Sequence, residues 1–184
     1  MMLQPVGLGK PKELSTSGLV EFGNASWTDD GHFIAYEAQT MQMDWNAYVQ
    51  PIAGGPPVLI RSGARNSYPK LSPDGSIAAL RGDRGGISLY RLNGSRPVAL
   101  QGSRESEYPV RFANGGKSLL VAEGNGHELV LMLVELAAGH RTLSKRIEAN
   151  QRDGSEIAIT PDFKYYAYEA NRESSVLYIV ANVR

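Results

Sequence analysis

Cysteine is absent from the 184 residues, which excludes disulfide staples, thiolate zinc sites and cysteine nucleophiles together. Histidine is scarce: His32, His127 and His140 stand alone, with no H-E-x-x-H and no paired spacing that would bring two imidazoles to one metal. An excess of charge of one sign is missing as well, since 19 basic and 19 acidic side chains are scattered singly. A duplex binder gathers Lys and Arg on a face or stripe, so no nucleic-acid partner is expected. No apolar run reaches the roughly 20 residues of a membrane span. The opening MMLQPVGLGKPKEL lacks the basic segment, apolar stretch and cleavage site of a signal peptide. These absences lead us to expect a soluble domain, periplasmic or cytoplasmic, without metal or cofactor.

What the chain does have is a period. Four stretches share one plan: NASWTDDGHFIAYEA from Asn24, NSYPKLSPDGSIAAL from Asn66, SEYPVRFANGGKSLLVAE from Ser106 and SEIAITPDFKYYAYEA from Ser155. Their turn positions, Gly31, Gly75, Gly116 and Phe163, follow one another at steps of 44, 41 and 47 residues. After each turn comes a short apolar strand, a polar loop and a second strand, and in the first three units a further strand at Pro57 to Ile60, Pro97 to Leu100 and Arg141 to Ile147. β-branched and aromatic runs bounded by Gly, Pro, Asp and Asn read as strands. Good helix formers follow Leu133, but the continuous apolar run before them fits a buried strand better. Four short strands per unit of about 40 to 45 residues is the arithmetic of a β-propeller blade. The expected fold is therefore all-β, a β-propeller of about four blades of four-stranded antiparallel sheet, partial or half of a ring.

One domain is expected over 1–184. Residues 1–19 are the end of an incomplete blade, because LQPVGLGKPKELSTSG from Leu3 matches VQPIAGGPPVLIRSG from Val49. Blades follow at 20–63, 64–103 and 104–149, and 150–184 is a last blade lacking its outer strand. Three closures stay open: a compact four-bladed ring, a longer propeller, or two copies joined as a homodimer. In the first, the segment from Lys12 to Ser15 supplies the strand missing after Val180.

The segments YPKLSPDGSIAAL, WTDDGHFIAY and ITPDFKYYAYEANRESSVLYIV resemble the repeats of the TolB-like, or WD40-like (PD40), β-propeller family. Leu71, Ser72, Pro73, Asp74 and Gly75 match best; Thr28 to Gly31 replace Pro by Asp, Thr160 to Asp162 lack the glycine, and Ala113 to Gly116 diverge most. The resemblance implies a propeller used as a protein-binding platform, as a sensor domain, or as a substrate-gating domain beside a serine peptidase. Fold likeness alone does not choose among these.

Asp29 and Asp30 in the first unit, Asp74 in the second and Asp162 in the fourth recur at the turn, which fits turn-stabilising side chains rather than a carboxylate pair. No G-x-S-x-G elbow surrounds any serine, and GDRGG and EGNG precede no helix, so neither a hydrolytic triad nor a phosphate loop is expected. Trp27, Tyr68 and Tyr108 are read as equivalent aromatics packing between blades. The linkers entering each blade carry mixed charge. Arg65, Asn66, Arg104, Glu105, Glu107, Arg152 and Asp153 are expected at one mouth of the central channel as a partner-binding rim. Met41, Met43 and Trp45, in a loop longer than its counterparts, are a candidate contact surface. The expected function is a noncatalytic interaction or ligand-sensing module that takes a protein or peptide partner, with the substrate-gating domain of a peptidase as the alternative.

Overall fold

The computed structural model describes residues 1–5, 7–148 and 157–168. It is all-β. Three four-stranded antiparallel sheets run in simple order from inner to outer strand. The first holds β3 (Leu19–Trp27), β4 (Phe33–Thr40), β5 (Trp45–Pro51) and β6 (Val58–Ser62). The second holds β7 (Lys70–Leu71), β8 (Ile77–Arg81), β9 (Ile87–Arg91) and β10 (Val98–Ala99). The third holds β11 (Tyr108–Ala113), β12 (Ser118–Gly124), β13 (Glu128–Glu135) and β14 (Arg141–Glu148). Two-stranded sheets flank them in sequence: β1 (Met2–Leu3) with β2 (Lys12–Glu13), and β15 (Ile157–Ile159) with β16 (Tyr166–Tyr168). No helix among the described residues is long and apolar enough to cross a membrane.

The central sheets bury apolar residues on both faces, and alternation along the strands decides which neighbour each residue meets. Ala35, Ala47 and Val49 of the first sheet pack on Leu71, Ala78 and Leu80 of the second. Ala79 and Ile87 of the second pack on Phe112, Leu119, Val121 and Val134 of the third. Leu120, Ala122, Leu129 and Leu131, from the opposite face of the third, pack on Ile157 and Ile159. The run from Leu129 to Val134 is continuously apolar because its two faces serve two interfaces. That is why the helix formers after Leu133 do not prevail.

The turn between first and second strands repeats as a hydrogen-bonded unit. Gly31, Gly75 and Phe163 each donate their N–H to the carbonyl of Thr28, Ser72 and Thr160 at 2.9 Å, and each has φ between +58° and +70°. The hydroxyl of Thr28, Ser72 or Thr160 accepts the N–H of Phe33, Ile77 or Tyr165 and donates to Asp30, Asp74 or Asp162 at 2.5–2.6 Å. The same carboxylates accept the N–H of His32, Ser76 and Lys164. Ala113 has no hydroxyl, and there Asn114 bonds Ser118 instead, within a 3-10 turn over Asn114–Gly116.

The aromatic equivalence does not hold. Tyr68 and Tyr108 are buried with ring centroids 5.1 Å apart. Trp27 directly precedes its turn, so its counterparts are Leu71, Phe112 and Ile159, three residues further along the unit than Tyr68. Those counterparts are buried, whereas Trp27 is 50% exposed. Tyr68 and Tyr108 each precede a Pro whereas Trp27 precedes the turn itself, so the aromatics occupy two different positions of the unit.

These turn carboxylates make stability depend on acid. Their hydroxyl and N–H donors hold Asp30 down at about 2 and hold Asp74 and Asp162 below the ordinary carboxylate range. A folded-state value below the unfolded one stabilises above the unfolded value and is lost as pH falls through the folded one. The melting temperature should therefore drop between about pH 4 and pH 2. A variant carrying D30N, D74N and D162N should drop less over that window; equal slopes would refute the turn account.

Candidate functional site

The first rim linker is positioned by one buried carboxylate. Glu37, on β4, is 1% exposed. It accepts the N–H groups of Asn66 at 3.1 Å, Ser67 at 2.6 Å and Tyr68 at 2.8 Å, the Ser67 hydroxyl at 3.1 Å and the Asn24 amide at 3.3 Å. Asn66 and Tyr68 hold φ of +55° and +49°, conformations that side chains other than glycine adopt at a cost. The gain is a concave run of three N–H groups, a natural seat for an anion. Glu37 fills that seat and fixes the linker.

Beside this seat, Arg65 lies over the Trp45 ring, 5.5 Å from its centroid. Phe22, Gly23, Asn24, Glu37, Trp45, Arg65 and Asn66 line a cleft of about 390 Å³. Gly23 leaves room for it: a Cβ there would meet Trp45 at 3.2 Å and Glu37 at 3.1 Å. Met41 and Met43 project from the β4–β5 hairpin, 71% and 68% exposed. Two groups of residues that the sequence presents separately, Arg65 with Asn66 and Trp45 with its methionines, thus come from adjoining loops.

The next linker is arranged differently. Glu107 is fully buried: its carboxylate accepts the Arg104 N–H at 2.8 Å and pairs with the Arg141 guanidinium of β14. That takes Glu107 out of the partner-facing rim, because its charge is fully occupied inside the third sheet. The Arg104 side chain stays exposed, 3.5 Å from Glu123, and the Glu105 carbonyl accepts the Gly86 N–H. Arg81 occupies in the second sheet the place of Glu37 in the first, and its Nε is buried without a hydrogen-bond partner. Arg152 and Asp153 lie outside the described residues.

A second concavity lies where the inner strands converge. Trp27, Asp29, Lys70, Arg111, Ile159 and Tyr168 are among the residues lining a cavity of about 540 Å³. Arg111 on β11 spans it. Its guanidinium donates to the Ile159 carbonyl at 2.8 Å and to both Asp29 oxygens at 2.9 and 3.1 Å. One side chain of the third unit therefore ties the first to the fourth. Sequence reading missed it, since Arg111 sits in a strand and carries no motif.

Inner-to-outer meanders stacked face to face around one shared cavity are blades around an axis. The protein is a β-propeller. No family model matches the chain, and neither does any curated protein. Among solved structures it is similar to TolB from Acinetobacter baumannii, with 18% identity and a TM-score of 0.63 over 90% of this chain and 41% of that one. A TolB from Agrobacterium tumefaciens, described as putative, gives 16% identity and a TM-score of 0.57 over 82% and 55%. A prolyl endopeptidase gives 17% identity and 0.55 over 84% and 26%. The chain thus spans about half the length, or less, of these propeller proteins. At these identities the likeness establishes the fold alone.

Replacing Glu37 by Ala leaves the N–H groups of buried Ser67 and Tyr68 without their acceptor and frees that of exposed Asn66. The expected cost is about 3 kcal/mol, with faster amide exchange at Asn66, Ser67 and Tyr68. A loss under about 0.5 kcal/mol would contradict the anchoring role.

Proposed function

We propose that this propeller is a noncatalytic binding module for a protein or peptide, engaged at the rim where Arg65 lies over Trp45. The observation that carries the reading is an arginine stacked over an aromatic ring at one cleft, with two exposed methionines on the hairpin that leads to that ring. Aromatic, Met and Arg side chains are the types enriched at protein interfaces. Arg65 would receive an acidic side chain of the partner, and Trp45 with Met41 and Met43 a large apolar one, the methionines adapting to its shape. Likeness in fold to TolB and the resemblance of the repeats to the TolB-like family support a role as a binding platform.

The second reading is a propeller that gates substrate access to a peptidase domain carried elsewhere. The cavity on the axis and the likeness in fold to a prolyl endopeptidase favour it. Both readings make the isolated chain noncatalytic.

An array of peptides combining acidic and large apolar residues, read by fluorescence polarisation, tests the rim. W45A and R65E should each weaken binding of the selected peptides at least about tenfold, the scale of 1.4 kcal/mol, without changing the melting temperature by more than a few degrees. Unchanged affinity in both variants would move the site away from this rim. Hydrolysis of peptidyl p-nitroanilides by the purified chain would overturn the noncatalytic reading.

A further inference from the structure

Charge is balanced over the whole chain but not along it. Residues 61–104 carry eight of the 19 basic side chains and two of the 19 acidic ones, Asp74 and Asp83. Asp74 is satisfied within its own turn by Ser72 and Ser76. Arg61, Arg65, Arg81, Arg84 and Arg104 come from three segments of chain: the end of β6 with the linker into the second blade, the β8–β9 hairpin, and the linker into the third blade.

Hydrogen bonds draw these segments to one rim. The Arg61 guanidinium donates to the Arg81 carbonyl at 2.9 Å and pairs with Asp83. The Arg81 N–H donates to the Ser67 carbonyl at 2.7 Å. From the same hairpin, the Gly86 N–H donates to the Glu105 carbonyl at 3.3 Å and the Ile87 N–H to the Ser103 hydroxyl at 3.2 Å. Gly85, with φ of +81°, lies so near Glu105 that a Cβ would overlap its backbone. The turn is closed by the Gly85 N–H on the Gly82 carbonyl at 3.0 Å, and it carries Asp83 and Arg84 into solvent.

Much of the positive charge gathered here is unmet. Among the described residues, Arg65, Arg81 and Arg84 make no ion pair. Arg104 has only an exposed contact with Glu123 at 3.5 Å, a kind of pair that holds weakly in water. By alternation Arg81 shares the face of Ile77 and Ala79, which pack toward the third blade. In the first blade the side chain at this place, Glu37, is matched to the linker that follows it. Arg81 has the opposite sign, and the acid of the linker that follows it, Glu107, is turned to Arg141 instead. The Arg81 Nε is therefore buried with no acceptor, a costly state that an incoming oxygen would relieve.

We infer that the rim of the second blade is a docking surface for an acidic segment of a protein partner, whose carboxylates are taken by Arg65, Arg81 and Arg84. This rests on the linker rim as the binding side and names the chemistry of the partner there. Guanidinium forks match carboxylates in bidentate geometry. A carboxylate beside Arg81 would supply the acceptor that its Nε lacks. Asp83, Glu105 and Glu123 stand among the arginines, so like charges would oppose the unbroken row of phosphates of a nucleic acid. A peptide can space its acids to avoid them.

The probes are fluorescein-labelled peptides of Glu, Ser and Leu, the same peptides with every Glu changed to Gln, and a thymidine oligonucleotide. The Glu peptides should bind the whole chain, with affinity falling as NaCl rises from about 50 to about 300 mM. R84E, at the exposed tip of the hairpin, and R81Q should each weaken them at least about fivefold. Equal binding of the Glu and Gln peptides, or tighter binding of the oligonucleotide, would overturn the inference. Unchanged affinity in R84E overturns it too, and decides alone if R81Q lowers the melting temperature. In that case a continued loss in W45A and R65E leaves the Arg65–Trp45 cleft standing without the basic surface. Loss in R84E with no change in W45A supports the basic surface and removes the aromatic ring from the site.

Discussion

A four-stranded sheet with two apolar faces cannot stand alone in water, and every other feature of this molecule follows from that constraint. Burying one face against each neighbour turns a 40-to-45-residue repeat into a stack. The alternation along β8, β12 and β13 is therefore a division of labour. Ala78 and Leu80 serve the preceding blade and Ala79 the following one. The full burial of Leu119, Leu120 and Val121 in succession marks the third blade as enclosed on both sides. Where the preceding blade has only its outer half, the same geometry leaves Trp27 half in solvent.

Stacking brings faces together but does not fix the connections between blades, and here polar chemistry takes over. Glu37 gathers three consecutive N–H groups of the linker into the second blade. Glu107 and Arg141 clamp the linker into the third within a buried ion pair. Holding the first linker rigid also places Arg65 over Trp45, so the structural anchor lies beside the proposed binding rim. At the axis Arg111 performs the corresponding task, joining three blades through a single guanidinium.

Much of the fold was legible in the chain itself. The recurrence of Thr-Asp-Asp-Gly, Ser-Pro-Asp-Gly and Thr-Pro-Asp-Phe located the turns, and the match of the segment at Leu3 to that at Val49 located the outer half-blade in its correct register. Contacts that depend on distant sequence were less legible. Nothing local distinguishes Glu107, which is buried and paired, from Glu105, which shares its linker. Arg111 reads as an ordinary strand residue until Asp29, 82 positions away, is placed beside it. The exposure of Trp27 depends on its position in the unit and on what covers the first blade, neither of which its residue type reveals.

The central claim is that blades are stable only against one another. Leu119 lies in the third blade, fully buried against Ala79 and Ile87 of the second, and its replacement by alanine should cost about 2 to 5 kcal/mol. Native-state hydrogen exchange resolves where that loss is felt. Mutual dependence predicts that L119A lowers the protection of β8 and β9 in the second blade by as much as that of β12 and β13 in its own. Destabilisation confined to the third blade, with β8 and β9 unchanged, would contradict it.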